Sequence, residues 1–212
     1  MTPSRPPKHS NRVVRFGLGL AVAAAVLGSS AGSAALAQTT PAPLTASSTA
    51  GQTTGQQALT LAETEGPYYK TNSPETTNLV QNGVGGTPIT ITGQVLDQNG
   101  QPVANALLDF WQANASGAYD TSGFTLRGHQ YTDANGFYTL TTIQPGLYPG
   151  RTEHIHVKVQ APNGPVLTTQ LYFPGVAQNT PDSIYDPSLL LNVVSTADSA
   201  QSATFDFVIA TA

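Results

Sequence analysis

The chain has 212 residues, only 9 % of them charged, with 20 glycines and 16 prolines. That balance argues against long helices with charged outer faces and for many short strands joined by turns. The length fits one domain with appendages rather than two full domains. Cysteine is absent, which rules out disulfides, thiolate metal sites and Cys nucleophiles.

Arg5, Lys8, Arg12 and Arg15 stand at the start without an acidic neighbour; the apolar run Phe16 to Leu27 follows, and small residues lead to Ala35-Leu36-Ala37 before Gln38. This is the layout of a secretory signal over residues 1–37, cut after an A-x-A site. An apolar run of about a dozen residues is too short to cross a bilayer, so the processed chain is expected to be secreted or periplasmic and free of the membrane. Processing would leave Lys70, Arg127, Arg151 and Lys158 against twelve acidic residues, a net charge near −8. No basic cluster remains to grip a phosphate backbone, and nucleic acid is not expected as a partner.

Residues 38–57 carry almost no large apolar side chains, so they bury too little surface to offset ordering and are expected to form a flexible linker. Residues 58–212 are the expected folded domain. From Pro88 the pattern has period two: Ile89 to Thr92 with Val95, then Ala104 to Phe110, Tyr138 to Ile143, Ile155 to Val159, Val166 to Phe173 and Thr204 to Ile209. Asp97-Gln-Asn-Gly100 and Asp133-Ala-Asn-Gly136 are turns, with glycine where positive φ is needed. A short helical turn is expected near Pro187 to Leu191. Strands at this spacing without intervening helices predict an all-β fold, an antiparallel β-sandwich with long active-site loops.

His154-Ile-His156 falls in one of these strands, so both imidazoles project from the same face. Two such imidazoles can hold a first-row metal, although an H-x-H pair by itself is more often a pair of polar strand residues. The neighbours add information. Arg151 lies three residues before His154, Tyr148 three before that in Pro145-Gly-Leu-Tyr148-Pro149, and Tyr119 ends Trp111-Gln-Ala-Asn-Ala-Ser-Gly-Ala-Tyr119. With Arg151–His156, Thr169–Gly175 and the opening Glu65-Gly-Pro-Tyr-Tyr69, these segments resemble the intradiol ring-cleavage dioxygenases, above all the protocatechuate 3,4-dioxygenase branch, over residues 58–210.

The resemblance implies one non-haem Fe(III) per chain, held by Tyr119, Tyr148, His154 and His156. It implies Arg151 and Gln170 against the substrate, and Tyr148 as the ligand that leaves when substrate binds. It further implies that a catechol-type ring is opened by O2 between its hydroxylated carbons to a cis,cis-muconate-type diacid. The ligand chemistry is sound on its own terms. Phenolate oxygen is a hard anionic donor suited to a ferric ion, whereas iron(II) oxygenases use two His and a carboxylate. Only 28 residues lie between Tyr119 and Tyr148, so the pocket loops are trimmed, and neither the particular catechol nor the oligomeric state follows.

The other polar residues have plainer readings. Tyr131, Tyr138, Tyr172 and Tyr185 are expected as packing or rim aromatics, and Trp111 as core. His129 reads as surface or pocket edge, and Arg127 as the partner of an acidic neighbour. Glu153 points off the histidine face by alternation. Tyr68 and Tyr69 stand equally well as entrance residues or as packing. A rival reading comes from the turns of residues 88–147, which resemble transthyretin-like and carboxypeptidase-regulatory sandwich modules that bind rather than catalyse.

Overall fold

Nine short strands build two stacked sheets in the computed structural model, which describes residues 55–195 and 200–212. The expected signal, residues 1–37, and most of the expected linker, residues 38–57, lie outside the described residues. One sheet has the order β4 (Phe137–Ile143), β1 (Pro88–Asp97), β8 (Gln201–Thr204), β7 (Asn192–Ser195), and β9 (Phe207–Ile209) pairs with the far end of β1. The other has the order β3 (Arg127–Tyr131), β2 (Leu107–Gln112), β5 (His154–Gln160), β6 (Val166–Tyr172), antiparallel throughout.

Period-two sequence explains the layering. Ile89, Ile91 and Val95 of β1, with Tyr138 and Leu140 of β4, face Leu108 and Phe110 of β2 and Ile155, Val157 and Val159 of β5 in one apolar core. The second sheet is buried on its other face as well, for β2 and the first half of β5 are buried almost without interruption. Residues 61 to 76 cover that outer face. The segment enters no strand and is tied down by bonds such as Glu63 N to Thr168 O and Thr76 N to His129 O, by the Lys158–Glu65 ion pair, and by Tyr69 and Ser73 hydroxyls on Asp109.

The two expected turns form alike. The Oδ1 atoms of Asp97 and Asp133 each accept backbone N–H groups two and four residues on, and Gly100 and Gly136 take φ of 76° and 77°. The expected helical turn is a 3-10 turn at Pro187–Leu189, capped by Asp186.

Two expectations need correction, and two strands were not foreseen. The strand expected from Ala104 begins at Leu107, because Asn105 turns the chain with φ of 54°. The run expected from Thr204 to Ile209 breaks at Phe205-Asp206 into β8 and β9, and both join β1 in parallel rather than antiparallel. Arg127–Tyr131 forms β3, although Arg-Gly-His-Gln-Tyr does not alternate. β7 likewise had no clear periodic signal.

The break between β8 and β9 is where the chain approaches Gly93 most closely: a Cβ there would sit 1.7 Å from Phe205 O. Gly93→Ala is therefore expected to cost about 2 kcal/mol through forced backbone movement. Gly85→Ala, at a position with open space around it, is the control and should leave the unfolding midpoint nearly unchanged. Denaturant unfolding of the two variants checks this.

Candidate metal centre

Strand register assembles one wall of the site. Arg127, Trp111, His156 and Gln170 are consecutive partners across β3, β2, β5 and β6, and His154 pairs with Tyr172 in β6. These side chains share the covered outer face, opposite the apolar core. The row places an aromatic ring behind one histidine, since Trp111 and His156 stack at 4.8 Å between centroids with 3° between planes.

The histidines are prepared as lone-pair donors. His154 Nδ1 lies 2.6 Å from Thr152 O, which fixes the proton on Nδ1 and leaves Nε2 as a lone pair. That Nε2 stands 3.1 Å from His156 Nε2 and 3.0 Å from the Tyr119 hydroxyl. His156 Nδ1 is buried without a hydrogen-bond partner, so nothing in the protein ties this ring to one tautomer, and stacking holds it instead. Burial lowers the His154 pKa to about 4 and pushes that of His156 well down, so both rings are neutral near pH 7. Burial drives the Tyr119 phenol upward.

The tyrosines come from two loops that touch through glycine. A Cβ on Gly117 would lie 2.0 Å from Leu147 O, and one on Gly146 would lie 2.4 Å from Ala115 O. Asn114 fastens both loops, for its carbonyl accepts the N–H groups of Gly117 and Gly146 at 2.9 Å each and its Oδ1 accepts those of Ser116 and Ala118. After Tyr119, the Asp120 carboxylate accepts three further backbone N–H groups, from Ser122, Gly123 and Thr125. Tyr148-Pro-Gly-Arg151 closes with Arg151 N to Tyr148 O at 2.9 Å. With Gly150 at φ of 80°, it has the marks of a type II turn. Tyr119 and Tyr148 then meet edge to face at 5.8 Å.

Tyr68 completes the aromatic cluster. Its ring stacks on Tyr119 at 4.4 Å, and its hydroxyl lies 3.2 Å from that of Tyr148. Tyr69 instead packs on Trp111 and bonds Asp109, so of two residues with equal standing in the sequence only Tyr68 reaches the site.

Arg151 lies at the wall of a cleft of about 440 Å³, lined also by Leu147, Tyr148, Gln178, Pro181 and Asp182. Its Nε donates to Asp182 Oδ2 at 2.9 Å and its Nη2 to Gln170 Oε1 at 2.7 Å. Asp182 also accepts the N–H groups of Thr152 and Ile184. Burial alone would raise its pKa, but these hydrogen bonds and the guanidinium outweigh burial and hold the carboxyl below its usual range. Gln170 is fully buried with its amide engaged at both ends, since Nε2 donates to Thr64 O. It braces Arg151 rather than presenting a free donor. Tyr172, expected as packing, places its hydroxyl 3.4 Å from Arg151 Nη2.

Several other expectations resolve here. Arg127 is buried and has no acidic partner in hydrogen-bond contact: its Nη atoms donate to the carbonyls of Tyr68 and Asp120. His129 bonds Ser73, away from the tyrosine–histidine cluster. Glu153 accepts from Gln144, off the histidine face. Asp182 was missed altogether, because it lies 31 residues after Arg151 in a loop with no motif. Among the described residues no third His, Cys, Asp or Glu joins the two histidines. The donors gathered there are two neutral imidazoles and the Tyr119 phenol, with the Tyr148 ring edge-on to Tyr119, a set suited to a hard ferric ion and not to a two-histidine, one-carboxylate iron(II) site.

Comparison with known proteins gives the family. The family model described as dioxygenase matches residues 64–211. The protocatechuate 3,4-dioxygenase beta chain of Burkholderia cepacia is 35% identical over 159 residues, covering 62% of this chain and 68% of that one. The catechol 1,2-dioxygenase of Candida albicans is 30% identical over 57% of this chain, which spans 49% of that relative. The solved dioxygenase domain of a dioxygenase–carbohydrate-binding fusion from Streptomyces sp. SirexAA-E is 54% identical with a TM-score of 0.71, over 73% of this chain and 100% of that one. The non-catalytic sandwich module is set aside by these matches, and the chain belongs to the intradiol ring-cleaving dioxygenases.

Proposed function

We propose that the protein is an exported enzyme that uses one non-haem Fe(III) and O2 to open a catechol-type ring between its two hydroxylated carbons, giving a cis,cis-muconate-type diacid. The observation that carries this reading is the meeting of His154 Nε2, His156 Nε2 and the Tyr119 hydroxyl within hydrogen-bond distance, without a carboxylate, beside a cleft edged by Tyr148. Tyr119, Tyr148, His154 and His156 are the proposed ligands. Bound iron(III) would supply a Lewis acid that favours the ionised form of the catechol, and it is loss of the catechol protons that leaves the ring electron-rich toward O2.

The rest follows from this chain's own groups. Tyr148 edges the cleft, so its phenolate is the base placed to take a proton from an entering catechol, and Tyr68 offers that oxygen a hydrogen bond. Arg151 lines the cleft, and its guanidinium can stabilise negative charge developing on the ring, as a fixed cation does. Asp182 and Gln170 hold it in that orientation. Residues 64 to 70, laid over the histidine face, keep bulk water from the donors. The leader over residues 1–37 supports export, and N-terminal sequencing of the exported protein should begin at Gln38.

The purified protein should bind about one iron and be reddish, because tyrosinate on ferric iron gives a visible charge-transfer band; Tyr119→Phe should bleach much of that band and abolish turnover. Iron analysis with an absorption spectrum checks both, and a colourless protein that stays inactive after iron loading would overturn the reading. Iron uptake should also depend on pH with a defined sign. The Tyr119 phenol must lose its proton to bind, so uptake should release protons and tighten as pH rises. The imidazoles should release none above about pH 5, since His154 titrates at about 4. Proton release measured during iron titration at pH 6 and 8 tests this.

Asp182→Asn removes the charge that orients Arg151. Colour and iron content should persist while kcat falls by ~10-fold or more, and Arg151→Ala should lower it by ~100-fold, about 2.7 kcal/mol of barrier. Steady-state kinetics of both iron-loaded variants decides whether this pair acts on substrate.

A further inference from the structure

We propose that the cleft beside Tyr148 selects a catechol whose ring carries a bulky, uncharged substituent and discriminates against one whose ring carries a carboxylate; this rests on the dioxygenase reading above. The distribution of charge carries the proposal. Among the described residues Arg151 and Asp182 are the only charged ones that line the cleft; bonded to each other at 2.9 Å, they carry no net charge as a pair, and the one guanidinium is the group proposed to meet the ring itself. Glu63 stands within electrostatic reach of Arg151, Asp182 and Asp186, so carboxylates outnumber the one guanidinium in this region.

No other cation among the described residues is free to receive a substituent carboxylate. Lys158 is paired with Glu65, Lys70 donates to Gly123 O, and Arg127 is buried on the Tyr68 and Asp120 carbonyls. A substituent carboxylate brought into the cleft would give up part of its water and find no cation beyond the one that meets the ring, a loss that an uncharged group does not suffer. The remaining lining suits an apolar or amide-bearing group. Leu147 is 42% exposed at the rim, with Pro149, Pro181 and the neutral amide of Gln178 around it. The volume of about 440 Å³ is of the size that encloses a drug-sized ligand rather than a single small ring.

The test compares 3,4-dihydroxybenzoate with 3,4-dihydroxybenzamide, nearly the same in outline and different in charge, on the iron-loaded full-length protein. Both kcat/KM and affinity from anaerobic titration are read. The amide should be favoured ~10-fold or more in each, and N-benzyl-3,4-dihydroxybenzamide should bind at least as tightly as the parent amide. Gln178→Arg, which adds a cation to the cleft wall, should narrow the gap between acid and amide. If acid and amide are bound and cleaved equally, or the acid is preferred, the selectivity proposal falls while the dioxygenase reading stands. If the benzyl amide binds ~10-fold more weakly than the parent amide, the claim of room for bulk falls. If the iron-loaded protein cleaves none of the three, both readings fall together.

Discussion

The pleat of β5 divides its residues between two environments, and the site is built on that division. Ile155, Val157 and Val159 enter the sandwich core, which fixes the strand's register against β2 and β6 by apolar burial. His154 and His156 are then obliged to face the other way, toward a covered but chemically mixed surface. Slipping β5 by one residue would bury two imidazoles among aliphatic side chains and turn three aliphatic side chains toward polar groups, so the core enforces the position of the histidine pair. The same register sets Trp111 behind His156 and Gln170 beside it. Stability and chemistry are thus specified by alternate residues of one segment.

Backbone proximity does for the tyrosines what register does for the histidines. Gly117 and Gly146 let two loops approach until a carbonyl of one occupies the space a side chain would take on the other, and Asn114 joins them with its main chain. The phenols therefore arrive from loops that brace each other. Rigidity at that point matters because a donor misplaced by a fraction of an ångström loses much of its value to a metal or substrate. Arg151 is fixed in another way, by a buried carboxylate, a buried amide and a tyrosine hydroxyl.

Much of this was legible because it is local. Alternation in Ile155 to Val159, the Asp-x-Asn-Gly turns and the spacing of Tyr148, Arg151, His154 and His156 depend on residues within a few positions of one another, where the sequence states the geometry directly. What stayed hidden depends on distance along the chain. Asp182 carries no motif, and only the fold brings its loop under Arg151. Tyr68 and Tyr69 are neighbours of the same type, and which one turns to the site follows from how the covering segment crosses the sheet. Arg127 resembled an ion-pair partner because exposed arginines usually are, yet burial in β3 gives it carbonyls instead. The parallel pairing of β8 and β9 with β1 is a property of topology that periodicity does not encode.

The covering segment has a consequence for how the protein matures. Residues 61 to 76 contribute no strand, so both sheets can close while the histidine face still lies open to solvent. The Tyr68–Tyr148 contact spans 80 positions, whereas Tyr119, Tyr148 and the histidines lie within a far shorter stretch and can assemble earlier, at a lower cost in loop closure. The order of events is then built into the connectivity: frame, donors, cover. Undocking the cover would reopen the histidine face without unfolding the sandwich. Access to the histidine face becomes a question of local opening, governed by the hydrogen bonds and the Lys158–Glu65 ion pair that tie the cover to the sheet, and is separable from the global stability of the fold.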